Sequence, residues 1–170
     1  EPNTFFTNQL NNTDVIEGFI PLGEEILDQL NGNVDAVSDT IGTAGTLMGI
    51  AKALKKAKSN CKIIAVEPSS SPILSKGIKG SHNVEGVGLG FVPNIYDEKL
   101  VDNVISIDES VARQTCKDLA KKEGIFCGTS SGMNVAAAIQ ISKQLGPKSK
   151  VVTIACDSGL KYLSEGLFDD

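Results

Sequence analysis

Two kinds of segment alternate along this chain. Short runs rich in Val and Ile, at 34–41, 62–66, 104–107 and 151–156, are separated by stretches with helical spacing of their apolar residues. Such runs read as strands, and their regular alternation with helices favours an α/β fold: a three-layer, open, mostly parallel sheet flanked by helices. Residues 23–29 read as a helix with Ile26, Leu27 and Leu30 on one face. A second helix, 47–56, places Leu47, Ile50, Ala51 and Leu54 at the 3.6 period and carries its lysines late, where they suit the helix dipole. Residues 69–94 are rich in Ser, Gly and Pro and read as loops, with a short helix near Ile73. Asp108 caps a helix over 109–122 that Gly124 ends, and Gly146-Pro147 stops another over 131–145. With 170 residues, 41% of them hydrophobic, 1–170 is read as a single α/β domain with a real core.

Charge narrows the partners. The net charge is −5, and the lysine pairs Lys55-Lys56 and Lys121-Lys122 form no continuous positive stripe, which argues against nucleic acid and against anionic membranes. No apolar run reaches membrane-spanning length and no signal peptide heads the chain, so a soluble cytoplasmic protein is expected. Cys61, Cys116, Cys127 and Cys156 show no CxxC spacing that would suit zinc, and are read as buried thiols of a reduced compartment.

Four glycine turns carry the chemistry. Gly42-Thr43-Ala44-Gly45-Thr46 follows a strand and opens a helix, so its free backbone N–H groups, the helix dipole and two threonine hydroxyls make a phosphate cradle. No Walker lysine follows and the spacing is not GxGxxG, which excludes an NTP-hydrolysing P-loop and disfavours a dinucleotide site; a tight turn without ligand is the alternative. The second stretch runs from Glu85 through Gly86, Gly88 and Gly90 to Pro93, and its alternating glycines suit backbone lying against a planar ring, or else a flexible loop. In the third, Gly128-Thr129-Ser130-Ser131-Gly132, one hydroxyl residue is expected to be an N-cap; it is not GxSxG, and His82, the only histidine, sits in a loop with no evident triad partner. The fourth, Asp157-Ser158-Gly159, follows the last strand, where side chains point into the ligand crevice of a parallel sheet or simply close the turn.

In this order and spacing, the four turns resemble the pyridoxal-phosphate enzymes of fold type II, above all the cysteine synthase (O-acetylserine sulfhydrylase) family. The family motifs GTGGT, EGxGxGFVP, GISSG and PDSGERYLS stand here as GTAGT, EGVGLGFVP, GTSSG and CDSGLKYLS, and Asn8-Gln9-Leu10 with 21–26 is similar to the family's NQF and TTGPEI. The resemblance implies pyridoxal phosphate as cofactor, with Gly42, Thr43, Ala44, Gly45 and Thr46 at its phosphate, Gly86 beside it, Ser158 at its pyridine nitrogen, and Gln9 near the substrate carboxylate. A neutral hydroxyl at that nitrogen makes the ring a weaker electron sink, suited to β-elimination and replacement.

The implied reaction is β-replacement on O-acetylserine with sulfide to give cysteine; cystathionine β-synthase and serine/threonine dehydratases share the fold. The implied partners are a small amino-acid substrate, a second copy in a homodimer and serine acetyltransferase. The lysine motif that forms the Schiff base, and the loop that clamps the substrate carboxylate, belong upstream of the family region matched here. The chain is therefore expected to be a C-terminal portion that carries no catalytic residue, cannot turn over alone, and has an inactive interaction fragment as its alternative reading; Ser75, Lys76 and Lys79 lack the lysine pattern. Asp39-Thr40 stands where the family has small residues, Gly18-Phe19 where His-Tyr is common, and Cys156 where proline is common.

Overall fold

The computed structural model describes residues 2–169. Its helices are α1 (Asp14–Gln29), α2 (Gly45–Lys56), α3 (Ile73–Lys76), α4 (Glu109–Asp118) and α5 (Thr129–Leu145); its strands are β1 (Ala36–Thr40), β2 (Lys62–Pro68), β3 (Asn103–Ile107) and β4 (Val151–Thr153). The strands form one sheet in the order β3-β2-β1-β4, and every pairing is parallel. Ala36 sits opposite Lys62 on one side and Val151 on the other, and Ile64 opposite Asn103.

Pleating separates two cores. Val37, Ile63 and Ala65 join Leu47, Ile50 and Leu54 of α2 and Ile16 and Ile26 of α1 in one buried cluster. Their neighbours Ala36, Ile64, Val66 and Ile105 point the other way, onto Ala112 of α4 and Met133, Ala137 and Ile141 of α5. Strands apolar on both faces are what a sheet covered by helices on both sides requires, and the three-layer architecture expected from the sequence is the one found.

The chain runs outward from β1 through β2 to β3, then returns to the far side of β1 to lay down β4. That reversal leaves a crevice outside the carboxyl ends of β1 and β4, the position where open parallel sheets receive ligands.

Several boundaries differ from the sequence reading. The first helix starts at Asp14, nine residues before the expected 23, with Pro21 inside it. Pro21 and Glu17 both lie on the exposed side, so the carbonyl that the proline leaves without a donor faces water. The strand ending at 156 stops at Thr153, and a 3₁₀ helix at Gly159–Glu165 was not anticipated. α4 leaves regular geometry after Asp118 for a π-helical turn, Leu119–Glu123, before Gly124 ends it with φ 69°. Asp108 does cap α4, accepting from Ser110 N at 2.8 Å. The hydroxyls at 129–131 do not cap α5: its N-cap is Gly128, and no side chain bonds there. Three cysteines are buried as expected, but Cys156 is exposed, because it lies past the end of β4 at the crevice.

Gly45, Gly49 and Ala53, one helical turn apart on α2, face α1 at very short range. A Cβ on Gly49 would come within 2.5 Å of Phe19 Cβ and 2.6 Å of Ile16 O; one on Gly45 within 2.3 Å of Val15 Cγ1; one on Gly23 of α1 within 2.6 Å of Ala53 Cβ. The two helices therefore meet nearly backbone to backbone. Gly49→Ala is expected to destabilise the chain by about 1–3 kcal/mol, the usual cost of overpacking, read as a lowered urea midpoint with an unchanged slope.

Candidate active site

The crevice at the carboxyl ends of β1 and β4 is a cleft of about 320 Å³, lined in part by Asp39, Thr43, Gly86, Cys156, Asp157 and Lys161. Of the residues singled out in the sequence, Gly42, Thr43, Ala44, Thr46 and Gly86 line it. Gly45 is buried directly beneath, as the first residue of α2. Ser158 is exposed one residue beyond the lining residue Asp157, and its Oγ accepts from Leu160 N at 3.3 Å, capping the 3₁₀ helix. Gln9 is exposed on the segment before α1 and is not among the lining residues.

The glycine turn is open in the way an anion cradle requires. Ala44, with φ 76°, is the N-cap of α2, and its methyl cannot accept a hydrogen bond. Gly45 N makes only a long bond to Thr43 Oγ1 at 3.4 Å, and no N-cap side chain closes the first turn of this 12-residue helix at the cleft. Against this turn lies the second glycine stretch. Gly88 N donates to Ile41 O at 3.0 Å, and a Cβ on Gly42 would come within 2.3 Å of Gly86 O. Gly86, Gly88 and Gly90 have φ of 76°, 58° and 78°, so their alternation is a requirement of the backbone. His82 holds this loop from behind. Its Nδ1 accepts from Val84 N at 3.3 Å, which leaves Nε2 as the donor to Gly88 O at 3.0 Å.

The far wall is fixed by Asp157. Its carboxylate accepts from Ser131 Oγ at 2.5 Å, from Ser131 N at 3.3 Å and from Tyr162 OH at 2.6 Å. Burial, then the bond to Asp157, pushes the Tyr162 phenol up. A Cβ on Gly128 would come within 2.1 Å of both Asp157 Oδ2 and the Tyr162 ring, which explains the glycine opening the third turn. Lys161, the one lysine among the lining residues, is ion-paired with Glu85 at the cleft mouth.

At the floor, Asn134 of α5 joins the two strands. Its Oδ1 accepts from Thr40 N at 2.7 Å, and its Nδ2 donates to Asp39 Oδ1 at 2.8 Å and to Ile154 O at 2.9 Å, with Cys156 Sγ 3.3 Å away. Burial raises the Asp39 pKa to about 7, with the bonds to Asn134 and Thr40 opposing the shift only in part. Sequence reasoning noted Asp39-Thr40 only as a departure and missed Asn134 altogether. The available signal was a polar residue at 134 beside Met133, Ala136, Ala137 and Ile141, the buried apolar positions of the helix.

These residues fit a phosphorylated planar ligand: an uncapped helix start, two threonine hydroxyls, and glycine backbones where any side chain would fill the space. The family described as pyridoxal-phosphate dependent enzyme matches residues 1–157.

The chain belongs to this family. Within the pyridoxal-phosphate dependent enzymes, it is 42% identical over 151 residues to a cysteine synthase of Staphylococcus aureus, covering 87% of this chain and 49% of that protein. Among solved structures it is similar to a cysteine synthase from Entamoeba histolytica (TM-score 0.92, 35% identity, 99% of this chain and 51% of the other). It is equally similar to a hydrogen sulfide-producing enzyme from Fusobacterium nucleatum (TM-score 0.92, 37% identity, 99% and 52%). An O-acetylserine dependent cystathionine beta-synthase from Helicobacter pylori also superimposes (TM-score 0.92, 32% identity, 99% and 55%). The chain spans about half the length of the curated relatives it matches. Among the described residues, no helix is long and apolar enough to cross a membrane.

Two outcomes test this geometry. Asn134→Ala leaves the buried Thr40 N–H unpartnered and takes the carboxamide donor from Asp39, at about 1–3 kcal/mol for a buried group left unsatisfied, and is expected to lower the melting temperature by several degrees. For Asp39, a folded pKa near 7 against an ordinary carboxylate at 3.8 means that the folded state holds its proton longer. This group's contribution therefore erodes stability as pH rises from about 4 to 7. Asp39→Asn is expected to raise the melting temperature at pH 8 more than at pH 4.5.

Proposed function

We propose that this chain is the cofactor-holding half of a cysteine synthase-like enzyme, whose whole protein performs β-replacement on O-acetylserine with sulfide to give cysteine. The single observation that carries this reading is the convergence of the GTAGT cradle, the Gly86 loop and the DSG turn on one cleft, in a chain that resembles cysteine synthases over nearly its full length. When bound, pyridoxal phosphate supplies an electron sink for the α-carbon of an amino-acid substrate.

The residues of this chain bind and orient. Thr43 and Thr46, with the first-turn N–H groups of α2, hold the phosphate. Gly45 keeps the helix start close to α1 and so fixes where those N–H groups point. Gly86 presents its backbone to the ring. Ser158, whose oxygen already accepts from Leu160 N, retains its own proton to offer at the pyridine nitrogen. Gln9 belongs to the substrate carboxylate site, completed by residues outside this chain together with the lysine that holds the cofactor. Lys161 is tied to Glu85 and is assigned no such role. The whole enzyme is read as a cytoplasmic homodimer acting on a small amino-acid substrate, with serine acetyltransferase as the docking partner to test. The Helicobacter relative favours one second reading, in which a thiol amino acid replaces sulfide as the nucleophile.

The chain extended upstream in frame is expected to turn yellow with pyridoxal phosphate and to form cysteine from O-acetylserine and sulfide. A protein that stays colourless ends the proposal; cystathionine formed from O-acetylserine and homocysteine at a higher kcat/KM selects the second reading. In the present chain, Gly42→Ala drives a methyl into Gly86 O and is expected to weaken binding of a pyridoxal-type phosphate at least tenfold, about 1.4 kcal/mol, measured by titration calorimetry.

A further inference from the structure

The charges of the cleft do not match the ligand it is shaped for. Asp39, Glu85 and Asp157 line it, against the single ammonium of Lys161. A phosphomonoester above neutral pH brings roughly two further negative charges. A cradle of N–H groups beside an excess of carboxylates is stable only if those carboxylates are compensated or discharged.

Two of the three are compensated by what they touch. Glu85 is ion-paired with Lys161. Asp157 accepts three hydrogen bonds, two from Ser131 and one from Tyr162. Asp39 differs. It is 5% exposed, it stands three residues before the cradle at the carboxyl end of β1, and its side-chain donor is the neutral Asn134 carboxamide. Asn134 of α5 bonds it, and the cleft it lines also holds Ser130 of α5, Thr43 and Thr46 of the cradle, Cys156 and Asp157 after β4, and the Lys161–Glu85 pair, so the one cation among the lining residues is already taken by Glu85. Its partner across β2 is Ala65, and the next acid on that strand, Glu67, is occupied by Leu74 N, Ser75 and Ser106. Tyr162 and Cys156 stay neutral, both pushed up by burial, and Asp39 itself contributes to the shift of Cys156.

We propose that a phosphate-bearing ligand enters this cleft together with one proton, and that Asp39 is the residue that receives it. The inference rests on the reading of the cleft as the cofactor site. Asp39 then acts as a positioning residue. Ionised, it repels the incoming anion; protonated, it keeps the Asn134 bridge through Oδ1 and removes the one uncompensated charge beneath the phosphate. The empty-state pKa of about 7 places this exchange within reach of ordinary pH.

The test is calorimetric titration of this chain with pyridoxine 5′-phosphate, which lacks the aldehyde and so cannot react with surface lysines. At pH 8 the free phosphate is already a dianion, its second pKa being about 6. Runs in buffers of different ionisation enthalpy count the protons taken up. The wild-type chain is expected to take up close to one proton more than Asp39→Asn. Its apparent affinity is expected to fall by about tenfold per pH unit above 7, while that of Asp39→Asn falls far less. Binding with equal proton counts in the two proteins overturns the inference and leaves the cofactor reading standing. No binding by either protein between pH 6 and 8.5 overturns both. The wild-type count does not depend on the variant folding, and the near-isosteric Asn keeps an acceptor for the Asn134 carboxamide.

Discussion

One carboxamide holds the floor of the cleft. Asn134 reaches from α5 across the carboxyl ends of two strands that stop pairing before they get there: β4 ends at Thr153, while the bonds of Asn134 fall on Thr40, Asp39 and Ile154. Past that point no ladder hydrogen bonds hold β1 to the segment that carries Cys156 and Asp157. The amide substitutes for the missing rungs, and the cradle on one side and the DSG turn on the other are spaced by it. A buried network of this kind gives a definite geometry only when every member is satisfied.

The same device explains how an acid is accommodated in the floor of the cleft. Burial at the end of β1 discourages ionisation of Asp39, and the Asn134 amide bond opposes that shift only in part. On the opposite wall, Asp157 accepts from the hydroxyl and N–H of Ser131 and from the Tyr162 hydroxyl, and so ties its turn to α5 and to the 3₁₀ helix. Two carboxyl groups of one cleft thus differ in their surroundings, the first bonded by a single carboxamide and the second by hydroxyl and N–H donors that hold a turn.

Much of this was legible in the residues. Val/Ile runs bounded by glycine turns marked the strands, because a strand buried on both faces has little choice of composition. The cradle was legible because Gly42 and the GVGLG stretch need backbone that only glycine provides. What escaped notice depends on long-range contacts. Asp39 and Asn134 lie 95 residues apart, and no local pattern couples them. The first half of α1 was hidden by Pro21, whose local signal is to break a helix; packing on α2 overrides it while the proline faces water. The hydroxyl residues at 129–131 look like caps, yet Ser131 spends its hydroxyl on Asp157, a partner that becomes visible only once β4 has returned beside β1.

The contact between Gly45, Gly49 and Ala53 and the neighbouring helix has a mechanical meaning. Interdigitating side chains can yield by changing rotamer, but main chain pressed on main chain has no such slack. The pair must tilt or slide as one stiff plate, with the glycine turn before α2 at its corner. Any load borne by the segment leading into α1 would therefore arrive at Thr43 and Thr46 almost undamped, as a displacement of the turn itself.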